Sequence, residues 1–248
     1  MEKYNMRHMV KSYTVAFRMN KPEKYKKIRD ELAALVSEKV GTTAMDIRNY
    51  ASHLQAGKKF IESLLFLQIS IKFRDESDPI NGWISLENNR LMDYIQKSLG
   101  GIYMTLIHMP EKIVFYKQIT DIVQELYNDI EQNEDLGPKT VSLNQAWCLL
   151  TLGSMQFHVG KDLKKSEETY EDGLNMLKWT LGNDDAEKHW IYGALCLGIA
   201  DICKATSRDK QAKEFYEKGV EALKSAEDFS GEDEKQNSIE TVKKYVNR

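Results

Sequence analysis

The sequence predicts an all-α protein of about eleven helices, all but the last paired as antiparallel hairpins. Three observations carry this. The 248 residues contain 14 glycines and four prolines, where average usage would give roughly 30 of the two together. Apolar residues recur at three- and four-residue spacing, as in Tyr25, Ile28, Leu32, Leu35 and Val36, which lines up one face of a helix. No segment shows sustained period-two alternation. A β-sandwich needs a turn signal every 8–12 residues or so, and a doubly wound fold needs glycine-rich βα loops. Both are missing.

Punctuation sets the elements in order. Asn20-Lys21-Pro22 separates a helix over 6–19 from one over 22–39. Gly41-Thr42-Thr43 stops the second and caps a third, 43–56. A fourth covers 58–74. The run 75–82 reads as a loop by composition. Helices follow over 83–108 and 110–133, with Pro110 suited to a first turn. Residues 135–139 connect to helices over 142–159 and 161–181, and residues 182–185 to helices over 186–205 and 208–226. A capping helix over 234–246 closes a single domain, 1–248.

Composition excludes several classes. A hydrophobic share of 42% can fill a core. No apolar run approaches the roughly 20 residues of a membrane span; the densest begins at Leu64 and is short. The first 20 residues lack the apolar stretch of a secretory signal. Cys148, Cys196 and Cys203 are few, odd in number and set in apolar helices, which suits reduced thiols in a cytoplasmic setting. The net charge of −3 is unevenly spread. Residues 1–29 carry Lys3, Arg7, Lys11, Arg18, Lys21, Lys24, Lys26, Lys27 and Arg29 against two glutamates. Such a basic patch can contact an acidic protein, a membrane surface or a nucleic acid. It can also be a mitochondrial targeting segment, in which case cleavage before about residue 40 is expected.

The hairpins repeat. Leu152-Gly153 is followed by Phe157, Ser166, Tyr170 and Gly173; Leu197-Gly198 by Ile202, Ala212, Tyr216 and Gly219. Tyr50-Ala51 precedes Phe60, Ser63, Leu67 and Ser70, and Leu99-Gly100 precedes Phe115-Tyr116 more loosely. Small residues where two helices cross let backbones approach, and a bulky one fills the gap between turns. This pattern resembles the tetratricopeptide repeat. The spacing between the small residues, 49, 53 and 45, exceeds the family's 34, so the resemblance is to the long-helix, kinesin-light-chain type. It implies a right-handed α-solenoid whose first helices line a concave, partner-binding groove. The positions it places there are Arg48, Asn49 and Ser52; Tyr94, Lys97 and Ser98; Trp147, Thr151 and Ser154; and Tyr192 and Cys196.

No catalytic motif is present: no His-Glu-x-x-His, no phosphate-binding loop, no nucleophile elbow. His53, His108 and His158 fall near the ends of first helices about 50 residues apart, too far separated along a solenoid for one metal. Cys196 and Cys203 lie roughly 10 Å apart along a helix, beyond disulfide reach. No cofactor and no enzymatic activity are expected. The two-carboxylate clamp of co-chaperone repeats is not matched, since only Arg48 and Asn49 hint at it. The 14-3-3 pattern is not matched either, for want of an inner Arg-Tyr pair. The expectation is a non-catalytic scaffold or adaptor binding a peptide or helix. A mitochondrial assembly factor with such repeats, and nucleic-acid binding through 1–29, where Tyr4, Tyr13, Phe17 and Tyr25 interleave the basic residues, are the alternatives.

Overall fold

In the computed structural model every assigned element is a helix, and no strand occurs among the described residues. These are residues 2–38, 42–72, 98, 100–103, 105–106, 108–132, 137–227, 235–236 and 239–240. The expected loop at 75–82 and most of the expected helix over 83–108, with Tyr94 and Lys97, lie outside them. So does most of the expected capping helix. The elements are α1 (Glu2–Arg18), α2 (Pro22–Ser37), α3 (Ala44–Ala56), α4 (Phe60–Lys72), α5 (Tyr116–Glu131), α6 (Pro138–Met155), α7 (Leu163–Leu181), α8 (Asn183–Ala186), α9 (Trp190–Ala205) and α10 (Asp209–Ser225). A five-residue π segment, Gln156–Gly160, continues α6. Residues 98, 100–103, 105, 106 and 108 are also helical.

The chain divides into two compact units, 1–122 and 123–248. In unit 1, α1 pairs with α2 and α3 with α4, and α4 also packs on α1 and α2. Pro22 sits in the first turn of α2, where its missing N–H costs nothing. Thr43 caps α3 in a capping box with Asp46: each side chain accepts from the other residue's backbone N–H. Tyr13, Phe17, Tyr25 and Phe115 form an aromatic cluster with ring centroids 5.4–6.1 Å apart. Gln68 Nε2 donates to Tyr13 Oη (3.1 Å) inside the same core.

In unit 2, α6 pairs with α7 and α9 with α10, and α9 also packs against both α6 and α7. Glycines sit where these helices meet. A Cβ on Gly153 or Gly198 would strike the Tyr170 ring, so that ring lies wedged between α6 and α9. A Cβ on Gly193 would stand 3.0 Å from the Gly219 carbonyl, so α9 and α10 approach backbone to backbone. Arg208 grips Glu167 with two N–H···O bonds of 2.7 Å, tying the α9–α10 turn to α7.

Several boundaries differ from expectation, among them the start of α1 at Glu2 rather than residue 6 and of α9 at Trp190 rather than residue 186. Residues 110–115 form a turn, and α5 starts at Tyr116, so Pro110 precedes its helix by a full turn. Pro138 and not residue 142 opens α6, again as a first-turn proline. Residues 183–185 of the expected 182–185 loop, with Ala186, form the short α8. The end of the expected 142–159 helix is widened into the π segment, where Asp162 N–H reaches back to the Gln156 carbonyl (3.0 Å).

Candidate functional site

A groove of about 940 Å³ lies within unit 1. Three helices build it. From α1 come Met6, Arg7, Val10 and Lys11; from α3, Asp46, Ile47, Tyr50 and Leu54; from α4 and the residue before it, Glu62, Phe66 and Lys59, with Val36 and Thr42 at one end. The spacing within each helix explains the shared face: at 100° per residue, positions 46, 47, 50 and 54 fall within one third of the α3 circumference. The floor is apolar. Tyr50 stands edge-on to Phe66 with ring centroids 4.8 Å apart, yet keeps 51% of its surface exposed.

The rim is charged. Arg7, Lys11 and Lys59 contribute cations, Asp46 and Glu62 carboxylates. Asp46 is already committed: it accepts from the Thr43 hydroxyl (2.8 Å) and backbone N–H (3.0 Å). Those bonds hold its carboxyl below the ordinary aspartate range. Lys59 reaches the rim because Lys58 adopts a left-handed backbone (φ 59°), which lets Lys59 N–H close on the Leu54 carbonyl at 2.8 Å.

The resemblance-derived groove positions fall elsewhere. Arg48 is half-buried, and Asn49 and Ser52 are exposed, on the side of α3 opposite the cavity lining. Ser52 Oγ merely returns a bond to the Arg48 carbonyl (3.2 Å). Trp147, Thr151, Ser154 and Tyr192 are buried, which corrects their expected exposure. Trp147 stacks edge-on against Trp190 at 4.5 Å. Thr151 Oγ1 donates to the Trp147 carbonyl, and Ser154 Oγ meets Tyr170 Oη at 3.0 Å. Tyr192 donates to Glu187, and burial raises its phenol further. Cys196 is buried with its thiol pushed up to about 12, and burial likewise raises the Cys148 thiol. Burial thus favours the protonated thiol in both. All three cysteines are free and buried.

The basic patch is also thinner than the sequence implies. Arg29 is buried: its Nη1 reaches Gln68 (3.4 Å) and its Nε donates to Asp30 (2.9 Å). Arg18 approaches Glu111 at 3.8 Å, and Lys27 faces Glu31 at 3.9 Å. Lys26 is partly exposed, and the Lys3 side chain lies outside the described residues. Arg7, Lys11, Lys21 and Lys24 are exposed. The first two are the ones that rim the groove.

His53, His108 and His158 are exposed and separate, and among the described residues no three His, Cys, Asp or Glu side chains gather as a metal site. No described helix is long and apolar enough to cross a membrane. No family model, curated protein or solved structure matches the chain.

Proposed function

We propose that this chain is a non-catalytic interaction module of the cytoplasm, a scaffold or adaptor that receives a helix or peptide of a partner protein in the unit 1 groove. One observation carries the reading. The groove joins an apolar floor with a half-exposed aromatic to a rim of Arg7, Lys11 and Lys59. Aromatic and arginine side chains are the types that concentrate binding energy at protein interfaces. An amphipathic helix fits such a trough by laying its i, i+3/i+4, i+7 residues on the floor. An acidic flank on the partner meets the three cations.

A tetratricopeptide-like stacking is part of the same proposal. It is supported by small residues at the crossings of α6, α7 and α9 and by a serine-to-carbonyl bond common to two hairpins. In this reading the binding face belongs to α1, α3 and α4, not to a groove running the length of the chain.

The test uses a library of helical peptides selected on the full chain and measured by fluorescence anisotropy. Val10→Glu combined with Tyr50→Glu should weaken the selected peptides by on the order of tenfold or more, with the thermal melt unchanged. Peptides that bind this double variant as tightly as the parent would place the site elsewhere.

A further inference from the structure

The α1–α2 turn and the 110–115 turn meet at one end of unit 1. Phe17 packs on Phe115 with ring centroids 5.4 Å apart, Gln118 Nε2 donates to the Phe17 carbonyl (3.4 Å), and the Arg18 guanidinium lies 5.8 Å over the Phe115 ring. Beside these contacts, aliphatic side chains stand in solvent. Ile113 is 73% exposed, Val114 72% and Met19 57%. Lys21, Lys24 and Lys117 are exposed around them. Of the acidic residues near these cations, Glu111 faces Arg18, which leaves Glu23 and, one turn after Lys117, Asp121 as opposing charges.

We propose that this end is a docking surface for an anionic lipid bilayer. The choice of occupant rests on shape and charge. The aliphatic groups project from a turn and a helix end, so another folded protein would need a matching pocket for each. A headgroup layer yields to them instead, and apolar side chains embed at the headgroup–acyl boundary. The surrounding lysines gain from the negative potential of phosphatidylserine, by roughly fivefold in affinity for each cation near the surface. Arg7 and Lys11 line the unit 1 groove and have no part in this, so the lipid surface and the groove are separate features. The chain lies on the membrane in this arrangement and does not span it.

Co-sedimentation of the full chain with vesicles tests the assignment. Pelleting is expected with equimolar phosphatidylcholine and phosphatidylserine at low salt, falling as salt rises, and not with phosphatidylcholine alone. Ile113→Asp with Val114→Asp should cut the bound fraction by about tenfold. Lys21→Glu with Lys24→Glu should do so independently, through charge and without touching the 110–115 turn. The circular dichroism melt of each variant checks that the fold is kept. Absence of binding to the anionic vesicles overturns the proposal, as does equal binding to neutral ones or undiminished binding by both variants. Binding of single-stranded RNA without vesicle binding would assign the basic end to nucleic acid and overturn it equally.

Discussion

At the α3–α4 crossing of unit 1, Ser63 Oγ donates to the Ala51 carbonyl (2.9 Å); at the α6–α7 crossing of unit 2, Ser166 Oγ donates to the Gly153 carbonyl (2.7 Å). Four residues after each serine stands the side chain that fills the next gap, and here the two regions part. In unit 1 it is Leu67, against which a Cβ on Gly101 would come to 2.9 Å. In unit 2 it is Tyr170, held between Gly153 and Gly198 and hydrogen-bonded to Ser154. The serine-to-carbonyl bond at the crossing is of the same kind. The wedge is soft and apolar in one case, rigid and polar-tipped in the other. A leucine can change rotamer when a neighbour grows, whereas a ring held on two opposite sides cannot.

The largest effect expected from this difference is on deletion of the wedges. Tyr170→Ala should cost about 3–5 kcal/mol, since it empties a ring-sized space and strands the Ser154 hydroxyl. Leu67→Ala should cost about 2–4 kcal/mol. Urea denaturation followed by circular dichroism measures both. A smaller loss for the tyrosine would break the comparison.

The glycines sharpen it at lower cost. Gly198→Ala should destabilise by about 2 kcal/mol, because overpacking against the fixed ring outweighs the gain in helix propensity. Gly101→Ala should fall within about 1 kcal/mol of neutral, because the atom it meets is the movable end of Leu67. Equal midpoint shifts for the two variants would mean the rings and the leucine yield alike.

The smallest expected effect concerns acid. Asp46 lies at the α3 cap, with its carboxyl lowered first by the Thr43 hydroxyl and then by the Thr43 backbone. A lowered carboxylate contributes stability that is fully present above the ordinary aspartate value and lost as pH falls through its folded value. Unit 1 should therefore weaken slightly in acid, and Asp46→Asn should flatten that dependence. A variant with the parent's acid sensitivity would assign it to another group.

The helical class was legible because breakers are scarce and apolar spacing is regular. The crossings were legible too, since Gly153, Gly198, Ser166 and Tyr170 form a local pattern. One contact needed the structure: Gly101, next to the Leu99-Gly100 pair, meets Leu67. The candidate site was largely not legible. Its walls come from α1, α3 and α4, and only long-range packing decides which α3 face is left open. Arg48, Asn49 and Ser52 were one side of the helix away from Asp46, Ile47, Tyr50 and Leu54. Trp147 and Tyr192 were misplaced because α6 and α9 are each buried over most of their circumference, in α6 with polar positions included, and no apolar stripe marks such a helix. The burial of Arg29 left a trace only in hindsight: it shares a helix face with Tyr25 and Leu32.

The π segment has a consequence for chain length. The serine lies 12 residues after its carbonyl partner in the α3–α4 hairpin and 13 after it in the α6–α7 hairpin. The wider turn at Gln156–Gly160 takes up that extra residue, and Lys161, in a left-handed conformation, redirects the chain into α7. The bulge is a slack loop of one residue stored in a helix. Removal of a single residue there would return the hairpin to the shorter spacing with the Ser166–Gly153 bond still made.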